Sequence, residues 1–142
     1  MALLNAKRVQ IWVAGMKDKP GALADKLAGL AKAGAQLEFV LARRAPEKPG
    51  TGVVFLAPLR GAKQQAAAKK LKLRKSKSLI AVRVEGADKP GLGAKVTGAL
   101  ADASINLRGM SAAVIGKRFV LHLALDNSKD AAKALRVLKK MK

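Results

Sequence analysis

Asp18-Lys19-Pro20-Gly21 and Asp88-Lys89-Pro90-Gly91 are the same tetrapeptide, placed seventy residues apart. The match continues downstream: Leu30, Ala31 and Ala33 correspond to Leu100, Ala101 and Ala103, and Leu37 to Leu107. Upstream, with one extra residue allowed before Asp18, Val9, Ile11, Val13 and Gly15 align with Ile80, Val82, Val84 and Gly86. Both sets alternate apolar residues with others, the period of a half-buried strand. On that reading Trp12 lies on the opposite face, pointing away from the helices. A match that extends on both sides of an identical turn is an internal duplication.

Each copy carries the same order of elements. A strand leads into the Asp-Lys-Pro-Gly loop, and Pro20 or Pro90 suits a first helical turn because it lacks an N–H. The following helix is marked by Leu23, Leu27 and Leu30 in one copy and by Val96 and Leu100 in the other. Gly34 is a suitable residue just past the first helix, whereas Ser104 stands there in the second. Second strands are expected over 36–44 and 106–114, and third strands over 53–57 and 119–125. Final helices follow over about 62–70 and 129–140, the latter capped by Asn127 or Ser128.

This β-α-β-β-α order predicts an α+β protein of two ferredoxin-like βαββαβ sandwiches in tandem, over residues 8–77 and 78–142. The alternating segment Leu71-Lys72-Leu73-Arg74 can supply the fourth strand of the first copy. The second copy offers no such segment, because Leu135, Leu138 and Met141 follow helical spacing to the end of the chain. Its first strand is left with an unpaired edge, which invites pairing. That edge is expected to be closed by the other repeat or by a second chain.

Composition narrows the function. The 142 residues include no Cys and one His, His122, against thiolate metal sites, cysteine nucleophiles and His-cluster metal sites. No carboxylate pair, nucleophile–base pair or phosphate-binding glycine loop stands out, and Gly91-Leu92-Gly93 lacks the rest of a dinucleotide fingerprint. The chain is therefore expected to be non-catalytic, without metal or cofactor. No apolar run approaches the roughly 20 residues of a membrane span. The first eight residues lack the apolar core of a signal peptide, and a cytoplasmic location is expected. Of the apolar residues 28 are Ala, which bury little area, so each half is expected to have a thin core.

The strand, the Asp-Lys-Pro-Gly turn, the apolar helix and Ser104-Ile105-Asn106-Leu107 leading into the second strand together resemble the ACT domain, a small-molecule-sensing module. The resemblance runs through nearly the whole chain, twice. It implies an amino-acid ligand held where two such modules meet, between the loop of one and the helix-to-strand junction of the other. Carried over by position, it implicates Asp18, Gly21, Asp88, Gly91 and Asn106; Gln36 stands where Asn would be expected in the first copy. The chemistry is compatible. Glycines allow close backbone approach, a helix N-terminus favours a carboxylate, the aspartates can pair with an ammonium group, and Asn106 offers donor and acceptor. The implied function is a regulatory sensor, acting as a homodimer.

Charge supports a reading of another class. Twenty-nine Lys and Arg face nine Asp and Glu, a formal charge of +20. The cations concentrate at Lys63, Lys69, Lys70, Lys72, Arg74, Lys75 and Lys77, and again at Lys129, Lys133, Arg136, Lys139, Lys140 and Lys142. Such a field attracts a polyanion or an acidic protein partner. The alternative is thus a nucleic-acid-associated or scaffold protein that uses the duplicated fold for assembly. Base-specific RNA reading is disfavoured, since Tyr is absent and Trp12, Phe39, Phe55 and Phe119 are the only aromatics.

Overall fold

The computed structural model describes residues 4–141. The chain divides into two compact units. A continuous unit comprises Gln10–Ser76, and a split unit is made from the described chain up to Val9 and from Lys77 onward.

In the continuous unit, β2 (Trp12–Lys17) leads into α1 (Ala22–Lys32), the hairpin β3 (Phe39–Arg44) and β4 (Thr51–Ala57), α2 (Gly61–Lys70) and the two-residue β5 (Arg74–Lys75). Its antiparallel sheet has the order β3-β4-β2-β5. The fourth strand is shorter and later than Leu71–Arg74: only Arg74 and Lys75 pair, opposite Val13 and Trp12.

The split unit repeats this plan with β6 (Ile80–Ala87), α3 (Leu92–Asp102), β7 (Gly109–Ile115), β8 (Arg118–Leu125) and α4 (Ser128–Lys139). With β1 (Asn5–Val9), its sheet has the order β1-β6-β8-β7. The edge expected to need the other repeat or a second chain is covered by β1 (Asn5–Val9), which lies antiparallel to β6 from Asn5 opposite Glu85 to Val9 opposite Ala81. The sandwich therefore has its fourth strand, taken from before the first repeat. Ala6 is buried in the core beside Val84, while Arg8 donates to Ser128 Oγ at the start of α4 over 2.7 Å. The outer edge of β1 is guarded by Lys7 and Arg8, charges that discourage further pairing.

Cross-strand register corrects the internal alignment. Trp12 pairs with Leu56 and Lys17 with Thr51; Val82 pairs with Leu123 and Ala87 with Arg118. Positions 12 and 82 are thus equivalent, and the offset of seventy holds through the whole first strand. No extra residue precedes Asp18. Trp12 consequently faces the helices rather than away from them, buried with Ala14, Leu30, Val54 and Leu56. The alternation was ambiguous because this sheet is apolar on both faces: Leu41, Phe55 and Val13 stand in one row across β3, β4 and β2.

Two turns are built from local chemistry. Ala22 N donates to Lys19 O, and Gly21 has φ 90° and ψ −18°, values of the third position of a type II turn with Pro20 at the second. Lys89-Pro90-Gly91-Leu92 repeats it, with Gly91 at φ 79°. The prolines thus precede the helices instead of occupying their first turns. At the far end, Ala35 N donates to Leu30 O and Gly34 N to Ala31 O, a Schellman cap with Gly34 left-handed. Ile105 and Ser104 make the same bonds to Leu100 and Ala101, which forces Ser104 to φ 60°.

Each helix pair packs on one sheet face. In the split unit Val96 and Leu100 of α3 and Ala131, Ala134 and Leu138 of α4 cover Val82, Val84, Leu121, Leu123 and Leu125. The α4 spacing of three and four residues places its apolar stripe inward, and Asn127 Oδ1 caps the helix by accepting from Asp130 N at 2.8 Å. In the continuous unit α2 contributes one fully buried residue, Ala68, so Leu30, Trp12, Leu56 and Leu73 carry most of the apolar burial. Truncating such a leucine to alanine costs about 2–5 kcal/mol.

Candidate functional site

The strand-to-helix loop of the continuous unit borders a cleft of about 230 Å³. Lys17 and Met16 at the end of β2, Asp18 and Lys19 in the loop, and Ala22 and Leu23 in the first turn of α1 form one side. Ala42, Arg43 and Arg44 at the end of β3 and Gly52 of β4 form the other. The loop is clipped to the hairpin by Asp18 N, which donates to Gly50 O at 3.0 Å. Across the cleft Arg44 Nε donates to Asp18 Oδ2 at 2.9 Å.

Gly52 keeps this space open. A Cβ there would lie 3.0 Å from Arg43 O and 3.4 Å from Met16 Cε. In the split unit the same register position is Phe119, buried in the core opposite Gly86, whereas Gly52 stands opposite Met16. Large and small residues are exchanged across the same strand pair. Val114 occupies the place of Arg44, so the side chain at that position cannot pair with Asp88.

The six residues singled out from sequence separate into two groups. Asp18 and Gly21 lie at the N-terminal end of α1, and Asp88 and Gly91 at that end of α3. Gln36 and Asn106 are exposed beyond the opposite helix ends. Eleven residues at ~1.5 Å each put roughly 16 Å between the two groups within a unit. Asp18 alone among the six lines the cleft. Gly21 and Gly91 have open space around a notional Cβ, so their left-handed turn conformation, not a close approach, demands glycine. Arg44 and Gly52 were not singled out from sequence. The only prior signal for Gly52 was a glycine one residue before an apolar strand.

The chemistry of the cleft is that of a small polar ligand. Lys17, Lys19, Arg43 and Arg44 make its rim cationic, and Asp18 supplies one carboxylate. The first-turn N–H groups of α1 favour a bound carboxylate. Among the described residues no group of three or more His, Cys, Asp or Glu side chains is placed to hold a metal. No helix of the described chain is long and apolar enough to cross a membrane.

Residues 80–142 match the ACT domain. No curated protein sequence matches the chain. Among solved structures, protein BT0572 from Bacteroides thetaiotaomicron is similar with a TM-score of 0.76 and 17% identity, over 96% of this chain and 99% of that one. The ligand-free regulatory subunit of aspartate kinase from Thermus thermophilus is similar with a TM-score of 0.64 and 17% identity, over 97% of each chain. E. coli aspartokinase III in complex with lysine and aspartate (T-state) gives a TM-score of 0.56 and 17% identity, over 95% of this chain and 31% of that one. At such identities the likeness is one of fold: α+β, with two four-stranded antiparallel sheets and four helices. The ACT domain at 80–142 contains the filled Phe119 position, and the open cleft lies upstream of it.

Proposed function

We propose that this chain is a non-catalytic regulatory protein of two ACT-like repeats that binds an amino acid and relays its occupancy to a partner. The observation that carries this reading is the cleft beside the Asp18–Gly21 loop, kept open by Gly52 and bridged by the Asp18–Arg44 pair. There the ligand carboxylate meets the α1 N-terminus and the cationic rim, and its ammonium group displaces Arg44 from Asp18. Binding favours whichever arrangement of the protein presents that geometry. The fold shared with an aspartate kinase regulatory subunit, and with an aspartokinase solved in complex with lysine and aspartate, supports the ligand class. A thermal-shift screen against the twenty amino acids tests it. One or a few should raise the melting temperature, with ~2.7 kcal/mol of stabilisation at a hundredfold excess over Kd. Silence across all twenty rejects it.

Homodimerisation belongs to the same reading and has its own support. Strand β7 is an edge of its sheet, carries no charged residue from Gly109 to Ile115, and exposes Met110, Val114 and Ile115. The edges at β1, β3 and β5 are each marked by Lys or Arg. An uncharged exposed edge is a template for pairing with a second copy.

A further inference from the structure

Between Glu47 and Glu85 the chain has no acidic residue, yet it contains ten Lys and Arg. The structure turns part of this run into one path along the continuous unit. The outward side of α2 presents Ala62, Lys63, Ala66, Lys69 and Lys70, all exposed. Lys72 follows in the turn after the helix, at φ 66°, and Lys75 lies on β5 with its Nζ 5.8 Å from the Trp12 ring centroid. Because Trp12 faces the helices, Lys75 does so too, while Arg74 lies on the other face of the same edge. Lys26 of α1 adds a further ammonium group, donating to Leu71 O at 2.7 Å just beyond the end of α2. Among the described residues none of Lys63, Lys69, Lys70, Lys72 and Lys75 pairs with a carboxylate; the ion pairs engage Arg43, Arg44, Arg60 and Arg83.

We propose that this lysine path binds the phosphate backbone of duplex nucleic acid without reading its sequence. The physical case rests on what accompanies the charge. Lys63 and Lys70 are seven residues apart, roughly 10 Å along the helix, and a duplex offers one phosphate charge per ~1.7 Å of its axis. Alanines between the lysines let a backbone come close. No aromatic residue lies on the path, so it has no platform for stacking the bases of a single strand. No large apolar residue lies there to insert into a lipid surface either; the exposed ones, Val40, Leu41, Met110, Val114 and Ile115, are on β3 and β7. Strand β3 is the sheet edge opposite β5. The split unit places cations on the corresponding helix, with Lys129, Arg136, Lys139 and Lys140 of the α4 region exposed, though Asp126 and Asp130 lie at its start.

The test is fluorescence anisotropy with two unrelated 24-base-pair DNA duplexes, titrated across a salt series with the full chain. Five phosphate contacts give a log–log salt slope of about −4 to −5. The triple variant Lys63→Glu/Lys69→Glu/Lys70→Glu should bind at least about thirtyfold more weakly at 100 mM salt and flatten the slope by about 3. The charge-matched control Lys48→Glu/Lys89→Glu/Lys117→Glu, on loops that are not part of the path, should lose under about fivefold. Circular dichroism checks folding, and the milder Lys69→Gln/Lys70→Gln pair should show an intermediate loss with a native melting curve. Equal losses in both triple variants, a strong preference between the duplexes, or tighter binding to a single strand or to phosphatidylserine vesicles would overturn the proposal. Its outcome is independent of the amino-acid screen.

Discussion

Arg44 Nε donates a 2.9 Å hydrogen bond to Asp18 Oδ2, and the position of Arg44 in the split unit is held by Val114. Two loops identical in sequence thus have chemically different surroundings. Asp18→Asn should abolish the ligand-induced rise in melting temperature, whereas Arg44→Gln, which removes the competitor for Asp18, should enlarge it. Arg44 is largely exposed and Asp18 more than a third exposed, so stability without ligand should change by no more than about 1 kcal/mol. Calorimetric melting with and without the amino acid identified by the screen separates the two effects. An unchanged ligand response in both variants would remove the cleft from the proposed function.

Gly52→Val places methyl groups in the cleft, beginning from a Cβ only 3.0 Å from Arg43 O. Ligand stabilisation should disappear even though Asp18 and Arg44 remain. Phe119→Ala, at the matching position of the split unit, empties a packed site and should cost about 3–5 kcal/mol. Denaturant melts of both variants, with ligand present and absent, check this contrast.

The two kinds of glycine in the split unit should respond in opposite directions. Gly91→Ala forces a side chain into the left-handed region and should destabilise by about 1–2 kcal/mol. Gly98 lies within α3 with nothing near its notional Cβ, so Gly98→Ala should stabilise by about 0.8–1 kcal/mol. Ser104→Gly relieves the φ of 60° at the helix end and should also stabilise, by about 1 kcal/mol. Urea midpoints at constant m-value read all three.

Ala6→Asp puts a carboxyl group into the core next to Val84 and should lower stability by at least about 1–3 kcal/mol. Removing the chain through Val9 should have a larger effect, because β6 then loses every partner on one side. Loss of β6 protection in hydrogen exchange would locate the damage in the split unit.

Val114→Lys and Ile115→Lys introduce the charge that β7 lacks. If copies pair through this edge, light scattering should show each variant shifted from dimer to monomer, while Val40→Lys on β3 should not shift it. A wild-type chain that is monomeric at all concentrations would exclude the pairing.

Much of the fold was legible because its signals are local. Gly34 ends α1 and Asn127 caps α4 through a neighbour three residues on, while Asp-Lys-Pro-Gly marks a loop whose type II turn, ahead of the helix, is seen only in the structure. The cleft was less legible. Asp18 could be named from its repeated turn, but Arg44 and Gly52 acquire meaning only through their cross-strand partners.

The sequence alone therefore determined two successive βαββα plans, the places of their loops, the helix ends at Gly34 and Asn127 and a strongly basic composition, all set by residues close together in the chain or by summed charge. Tertiary structure decided three things. It paired Asn5–Val9 with a strand some eighty residues away, turned Trp12 inward, and left open at Gly52 the space that Phe119 fills elsewhere. Each depends on strand register and on which sheet face is covered, and a short edge strand or a sheet apolar on both faces carries no local mark of either.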